Sequence, residues 1–389
     1  MIYNFDHYID RLPYASSKWN MNSRPYQRGD LIPLWVADSD FTSPDAVKKA
    51  VRDYADFGVF GYAGHPHGLT AAVIGWLKRK HHWDIEESWL SFPGGVIASL
   101  FAAVRAFSEP GDKVIINDPV YPPFATAVRD QGREIAWNPL AFDGTRYTLD
   151  FDDLRAHFAK PDKPKIMIFC SPHNAAGRVW TKAELEELCA ILLENDCMLI
   201  SDEIHFDLVW DDHEHITIGR LGSQIMDKLI MVSSASKTFN VAGMHASYAV
   251  VPNEEIRTRF LKQFAGSTQS NFIGKLALLA CYTESDDYLE QMKAYVTGNF
   301  DFVVPAINER LAPLKALRPE GTYLVWIDCR GLGKGQQELM RWFLEDCKLR
   351  LNDGATFGPA GEGFIRLNCA TPRAFLEEAV ERIESKLRI

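Results

Sequence analysis

Between about Pro44 and Thr283, stretches with helical periodicity alternate with short, nearly continuous apolar runs. The segment "SPDAVKKAVRDYADF" predicts a helix with Ser43 as its N-cap, and "TKAELEELCAILLEN" opens with a capping box of Thr181 and Glu184. The apolar runs are typical of strands buried on both faces: "KVIIN", "KIMIFC", "CMLISDE", "KLIMVSS" and "SYAVV". Strands of this kind separated by helices predict a largely parallel sheet in a doubly wound α/β domain.

The pattern changes after about Ser285. A long helical stretch runs to roughly Leu311, and it is followed by the strand-like runs "TYLVWID" and "GFIRLNC" and by a last helix from Pro372. This α+β texture predicts a smaller second domain. We therefore divide the chain into a large domain, 45–285, and a small domain made of 1–44 and 286–389.

Composition narrows the function to small-molecule chemistry in the cytoplasm. The 389 residues are 47% hydrophobic and carry a formal net charge of -10, which disfavours nucleic acid and anionic membranes as partners. The start, "MIYNFDHYIDRL", does not resemble a signal peptide, and no apolar run approaches the roughly 18 residues of a membrane span. The seven cysteines are scattered without a C-x-x-C motif, which favours reduced thiols over a disulfide or zinc framework.

Polar side chains follow three of the predicted strands. "SPHNAAGRVW" follows "KIMIFC", "SDEIHFD" follows "CMLI", and "SSASK" follows "LIMV". Ligands of open α/β sheets bind outside the carboxyl ends of the strands, so Asn174, Asp202 and Lys237 are expected to converge there. Each alone is more often a turn former, a cap or a solvated charge; the three together favour a site.

Pyridoxal phosphate chemistry needs this combination. A lysine forms the Schiff base and moves the Cα proton, and a carboxylate keeps the pyridine nitrogen protonated. The phosphate needs backbone amides at a helix start, which the turn of Gly94 and Gly95 before "VIASLFAAVRAF" provides.

The sequence resembles the class I/II aminotransferases of pyridoxal phosphate fold type I over essentially its whole length. Within that family it resembles the MalY/PatB-type cystathionine β-lyases, also called cysteine C-S lyases. The matching stretches are "LWVADSDF", "FGYAGHP", "PGDKVIINDPVYPPF", "SPHNAAGRVW", "SDEIHFDLVW", "SSASKTFNVAGMHASY" and "FIRLNCATPR". The resemblance implies a large domain with a mostly parallel, seven-stranded type of sheet flanked by helices, and a smaller α+β domain.

The resemblance also implies a role for each matching residue. Lys237 would form the Schiff base with the cofactor, and Arg366 would clamp the substrate α-carboxylate near the backbone of Val36 and Ala37. The other cofactor contacts would be Asp202 at the pyridinium nitrogen, Asn174 at the 3-hydroxyl, Tyr121 and His205 at the ring, and Gly95, Val96, Ile97 and Ser234 at the phosphate. Tyr62 would reach the phosphate of the neighbouring subunit, so the active sites would be shared in a homodimer.

Four positions depart from the common family pattern. His245 replaces a phosphate-binding arginine of many aminotransferases, and His205 replaces a tyrosine; both replacements are typical of the lyase subgroup. "SPHNAAG" lacks the proline that usually follows the asparagine, and Ser39 stands where the subgroup usually has methionine. We therefore predict a β-lyase that cleaves L-cystathionine or another S-substituted cysteine to a thiol, pyruvate and ammonia. Transamination would use the same residues and is the alternative.

Other patterns have competing interpretations. "SASK" matches the S-x-x-K of penicillin-recognising serine hydrolases, but the chain has no K-T-G partner motif. "CRGLGKGQ" lacks the spacing of either glycine-rich nucleotide motif and is better interpreted as a turn. The histidine clusters lack the helical spacing of a zinc pair, so we predict no metal site. A non-catalytic binding protein is disfavoured because both the lysine and the aspartate are present.

Overall fold

The computed structural model describes residues 2–19, 31–265 and 270–388 of the chain. Its helices are α1 Asp45–Phe57, α2 Leu69–His81, α3 Val96–Phe107, α4 Pro123–Arg129, α5 Phe151–Phe158, α6 Lys182–Glu194, α7 Ser223–Met226, α8 Glu254–Lys262, α9 Phe272–Glu284, α10 Asp286–Arg310, α11 Gln336–Arg341 and α12 Arg373–Leu387. Its strands are β1 Ile32–Pro33, β2 Leu90–Ser91, β3 Lys113–Asp118, β4 Glu134–Pro139, β5 Ala141–Phe142, β6 Tyr147–Thr148, β7 Ile166–Cys170, β8 Met198–Asp202, β9 Leu229–Ser233, β10 Tyr248–Val250, β11 Lys315–Leu317, β12 Leu324–Asp328, β13 Leu349–Arg350, β14 Asn352–Asp353 and β15 Phe364–Asn368.

The main sheet has seven strands in the order β2-β10-β9-β8-β7-β3-β4. The run from β9 to β4 is parallel, whereas β10 pairs antiparallel with both β9 and β2. Every residue of β7, β8 and β9 is buried, because helices cover both faces of a parallel sheet. The fold class predicted from the apolar runs is confirmed.

Alternation along the central strands divides the hydrophobic core in two. Met167 and Phe169 of β7 pack on one face of the sheet, whereas Ile166 and Ile168 pack on the other. Successive side chains of a strand point to opposite faces, so each apolar run supplies both cores. Helices α2, α6 and α9 contribute to the first core, and α3, α4 and α8 contribute to the second. The carboxyl ends of the strands are thereby held at one edge between two helical layers.

A second sheet of four strands has the order β11-β12-β15-β14, with α10 packed against α12 beside it. The N-terminal part of the chain joins this region, because β1 pairs in parallel with β13, Ile32 opposite Leu349. This pairing supports the proposed division into 45–285 and 1–44 with 286–389, which stays a prediction.

The two helix starts that we predicted differ in outcome. Thr181 and Glu184 form the expected capping box at α6. The expectation for Ser43 is wrong: Pro44 is the N-cap of α1, and the Ser43 hydroxyl instead donates to the Asn240 carbonyl at 3.0 Å. The Ser43 hydroxyl therefore makes a tertiary hydrogen bond in place of the helix cap that the local pattern predicts. Within the three described ranges, no helix is both long enough and apolar enough to cross a membrane.

We expect Gly219→Ala to destabilise the protein. An added Cβ would lie 2.0 Å from the ring of Trp83, which is 4% exposed and cannot move away freely. Overpacking of this kind costs roughly 1–3 kcal/mol or more. The control is Gly75→Ala within α2, where the new Cβ meets nothing within 4 Å. Alanine there is expected to be neutral or stabilising by up to about 1 kcal/mol. Thermal unfolding of both variants measures the difference; equal midpoints would contradict the packing at Trp83.

Candidate active site

A cavity of about 350 Å³ lies at the carboxyl ends of β7, β8 and β9, facing the first turn of α3. The predicted site residues on its wall are Gly95, Val96, Ile97, Tyr121, Asn174, Asp202, His205, Ser234 and Lys237. The structure therefore brings most of the predicted set together around one space. Arg366 and Tyr62 are not part of this wall and are described separately below.

Lys237 lies in the turn that follows β9. Its amine donates a hydrogen bond of 2.7 Å to the Ala37 carbonyl. Burial lowers the pKa of this amine to about 8, and the positive charge of Arg366 acts in the same direction against the attraction of Asp38 and Asp202. A lysine in this state is partly neutral near physiological pH, so it can act as a nucleophile or as a base.

Asp202 is the last residue of β8 and faces the same cavity. Its carboxylate accepts a hydrogen bond of 3.1 Å from the Ile204 amide. Burial raises the pKa of this carboxyl group to about 7, although the nearby Lys237 lowers it. Its ionised form is therefore costly in the protein as it stands, and a cation placed beside it would stabilise that form.

Asn174 connects the cavity to Arg366 of β15. The Arg366 guanidinium donates to Asn174 Oδ1 at 2.8 Å, to Asn352 Oδ1 at 2.6 Å and to the Trp35 carbonyl at 3.0 Å. Its Nε is buried and has no hydrogen-bond partner among the residues that the structure describes. Burial lowers the pKa of this arginine to about 10, which still leaves it charged. Arg366 is therefore a cation that three hydrogen bonds fix in place directly behind Asn174.

The first turn of α3 borders the other end of the cavity. Gly95 is the N-cap of this helix, so the amides of Val96 and Ile97 belong to the first turn, where backbone donors have no intrahelical acceptor. The Ser234 hydroxyl faces this region but is engaged locally: it donates to the Ala246 carbonyl at 2.6 Å and accepts from the Ser236 amide at 3.0 Å. The amides, and the hydroxyl after a rotation, are donors suited to an anion.

Two ring-bearing residues, Tyr121 and His205, complete the predicted wall. The Tyr121 amide donates to the Asn174 carbonyl at 3.0 Å, which ties the two loops together. His205 is 2% exposed, and burial together with the charges of Lys237 and Arg366 holds its pKa well below the usual value. Its imidazole is therefore neutral at physiological pH.

Tyr62 lies apart from the cavity and is fully exposed. Phe57, Val59 and Phe60 of the same segment are also largely exposed, which is uncommon for three large apolar side chains so close in sequence. In a single chain Tyr62 therefore cannot serve the site, and the structure does not test whether it serves a neighbouring one.

The backbone opposite Lys237 is held firmly in place. The Asn368 amide donates to the carbonyls of Val36 and Asp38, and the Tyr323 hydroxyl donates to that of Ala37 at 3.0 Å. Further along, Lys18 is fully buried and its amine forms an ion pair of 2.6 Å with Asp40. The Ala37 carbonyl of this segment is also the acceptor of the Lys237 amine. The expected place of the Val36 and Ala37 backbone beside a substrate carboxylate held by Arg366 stays a prediction, and the supporting residues were missed by sequence reasoning.

Sequence reasoning also missed Cys170, Tyr323 and Asn352. Cys170 lies on the cavity wall, and its thiol accepts from the Asn174 amide at 3.4 Å. Its place at the end of an apolar run beside Asp202 was a usable signal. Asn352 belongs to β14 of the second sheet and Tyr323 directly precedes β12, and no local pattern marks either as a neighbour of the site.

The rival interpretations receive no support from the geometry. The Ser234 hydroxyl and the Lys237 amine bond to different carbonyls, so the S-x-x-K pair is not engaged as a nucleophile and its base. Residues 329–335 form the connection between β12 and α11, in which Gly333 has a φ of 66°. In the part of the chain that the structure describes, no group of three or more His, Cys, Asp or Glu side chains is arranged to hold a metal ion.

Comparisons with known proteins match along the whole chain. The family model described as aminotransferase class I and II matches residues 30–383. Cystathionine beta-lyase PatB of Bacillus subtilis (strain 168) is 35% identical over 390 residues, covering 99% of this chain and all of the relative. Protein MalY of Escherichia coli (strain K12) is 29% identical, covering 100% and 99%. The crystal structure of cystalysin from Treponema denticola, which contains pyridoxal 5'-phosphate, superimposes with a TM-score of 0.96 at 37% identity, covering 100% and 99%.

We expect the Lys237 amine to titrate near pH 8. Burial disfavours the charged ammonium, so the reactive neutral amine should accumulate at a lower pH than at exposed lysines. The measurement is reductive methylation of the cofactor-free protein with formaldehyde across pH 6–11 (roughly spanning the lysine range), followed by peptide mass spectrometry. Lys49 serves as the internal control, because its hydrogen bond to Asp53 raises its pKa. A Lys237 midpoint equal to or above that of Lys49 would contradict the burial of the amine.

Proposed function

Since the chain belongs to the aminotransferase class I and II family, we propose that it is a pyridoxal phosphate-dependent carbon-sulfur β-lyase. Its substrate would be L-cystathionine or another S-substituted cysteine, cleaved with water to a thiol, pyruvate and ammonia. The observation that carries the proposal is the convergence of the Lys237 amine and the Asp202 carboxylate on one cavity. The family membership and the relatives that match from end to end support this assignment.

The residues around the cavity fit pyridoxal phosphate. Lys237 provides an amine with a lowered pKa to hold an aldehyde covalently, and Asp202 provides a buried carboxylate that a pyridinium would stabilise. Asn174 uses its Oδ1 on Arg366, which leaves its amide nitrogen to donate to the 3-oxygen of the ring. The amides of Val96 and Ile97, with the Ser234 hydroxyl, would hold the phosphate.

Tyr121 and His205 would enclose the ring of the cofactor. Tyr121 would supply the stacking surface. His205 is neutral, so it would add no third cation next to Lys237 and Arg366. The cations of the pocket, Lys237 and Arg366, would then be balanced by two carboxylates, that of Asp202 and that of the substrate.

When bound, pyridoxal phosphate supplies an electron sink that acidifies the Cα-H bond of the attached amino acid. Arg366 would orient the substrate by pairing with its α-carboxylate, for which its buried Nε is available in the described structure. The Lys237 Nζ would then take the proton from Cα. The thiolate leaves from Cβ with the electron pair of the C-S bond, and it is protonated to the thiol. Hydrolysis of the remaining three-carbon fragment consumes one water and releases pyruvate and ammonia.

Transamination is the alternative within the same family. Lys237 would then deliver the proton to a carbon of the cofactor, and the bond from Cβ to its substituent would stay intact. Both reactions would therefore use the same residues. His245, which lies on the cavity wall in place of the arginine of many aminotransferases, favours the lyase over this alternative.

We also propose a homodimer in which Tyr62 of each chain reaches the phosphate in the other. The exposed apolar side chains of Phe57, Val59 and Phe60 support a contact surface in this segment. A cytoplasmic location is part of the same proposal, because all seven cysteines are free and buried, which suits a reducing compartment.

Purified enzyme with L-cystathionine should release pyruvate without any added keto acid, at a rate that lactate dehydrogenase coupling can follow. Lys237→Ala should abolish this release and the visible absorbance band of the bound cofactor, because the covalent link is lost. Lys49→Ala, an exposed control, should retain both. Turnover that requires a keto-acid acceptor, with no pyruvate from any S-substituted cysteine, would favour the aminotransferase. A visible band that survives in Lys237→Ala would exclude the lysine as the anchor.

Mixed dimers test the shared site. A dimer of one Lys237→Ala chain and one Tyr62→Ala chain, isolated with two affinity tags, contains one site with both residues, so we expect about half of the wild-type activity. The Lys237→Ala parent should be inactive, and the Tyr62→Ala parent should lose activity and retain the cofactor weakly. If Tyr62 served its own chain, the mixed dimer would be no more active than expected from one Tyr62→Ala site. Tyr14→Ala, another exposed tyrosine, is the matched control and should behave as wild type.

A further inference from the structure

Asp207 is a buried carboxylate just behind the cavity, outside the wall described above. It follows His205 by two residues and Asp202 by five, in the turn after β8. Its side chain is 1% exposed. A carboxylate at such a depth needs a full set of donors, and its partners show which segments it joins.

Three donors from two other segments converge on this carboxylate. Oδ1 accepts from Trp76 Nε1 at 3.0 Å and lies 2.8 Å from His81 Nε2, and both residues belong to α2. Oδ2 accepts from the Thr238 hydroxyl at 2.8 Å. Thr238 directly follows Lys237, so one carboxylate ties the lysine segment to the Asp202 segment and to α2.

Glu203 forms a second set of hydrogen bonds that holds the turn after β8. Its carboxylate accepts from Ser201 Oγ at 2.9 Å and from the Ile218 amide at 3.2 Å, and it lies 2.9 Å from His215 Nε2. The His81 ring packs on Phe206 at 3.8 Å between centroids. The turn from Asp202 to Asp207 is therefore immobilised from behind, and the contact through Oδ2 of Asp207 extends this support to the lysine segment.

We propose that Asp207 is a positioning residue for Lys237. By accepting the Thr238 hydroxyl, it holds the backbone that carries the lysine so that the amine stays buried opposite the Ala37 carbonyl and beside Asp202. The consequence for proton transfer rests on the function proposed above. The position of the amine itself is a property of the chain and can be tested without the cofactor.

Thr238→Val is the informative variant, because it removes the hydroxyl and keeps the shape, whereas Asp207→Asn can compromise folding by disturbing all three donors. Two variants serve as matched controls. Thr238→Ser restores the hydroxyl, and Trp76→Phe removes a different hydrogen bond to the same carboxylate while leaving the Thr238 contact intact.

The first measurement is the pH midpoint of Lys237 methylation in the cofactor-free protein. Loss of the Thr238 contact should let the amine reach water, so Thr238→Val should raise the midpoint by about 0.5 pH unit or more. Thr238→Ser and Trp76→Phe should leave it at the wild-type value. A Thr238→Val midpoint that does not move, or that moves equally in Trp76→Phe, would overturn the proposal, since the network would then only stabilise the fold.

The second measurement is pyruvate release by the cofactor-loaded enzyme. A displaced amine should lower kcat on the order of tenfold in Thr238→Val while KM changes little, because the contact acts in proton transfer and not in substrate binding. Rescue in Thr238→Ser supports the positioning role, and equal loss in Thr238→Val and Trp76→Phe contradicts it. If the wild-type enzyme releases no pyruvate but the methylation midpoint shifts as expected, the lyase assignment fails and the positioning role stands.

Discussion

The site depends on the burial of an amine and a carboxyl group in one small cavity. Water stabilises both charged forms, and its removal lowers the pKa of Lys237 to about 8 and raises that of Asp202 to about 7. Both groups therefore stand near the point where either protonation state is accessible at physiological pH. A nucleophilic amine and a carboxylate ready for a cationic partner follow from the same physical cause.

Hydrogen bonds in the surrounding network offset the free-energy cost of this burial. The parallel strands end at one edge, so β7, β8 and β9 deliver Asn174, Asp202 and Lys237 to the same place without long loops. Behind that edge, the Asp207 carboxylate is satisfied by three donors, and the two terminal nitrogens of Arg366 are held by three acceptors. A buried charge with its partners complete is rigid, because moving it would leave polar groups unpaired.

The success of sequence reasoning followed the range of the interactions involved. The apolar runs identified the central strands, and the residue after each run identified three members of the cavity wall. The same reasoning missed the contact between Arg366 and Asn352 and the contact between Thr238 and Asp207. The partners in these contacts are 14 and 31 positions apart in the chain, so no local pattern links them. Ser43 shows the reverse error. The local pattern predicts it as a helix cap, but its hydroxyl donates to the carbonyl of the distant Asn240.

By itself the sequence determined which chemistry is possible. The continuous apolar runs, the lysine and aspartate at strand ends, and the glycine turn before α3 are local features, and local physics specifies them. Only the tertiary structure decided the state of those groups. The depth of Lys237, the charges that face it and the network that holds it arise from segments distant in the chain, and a pKa depends on that complete environment.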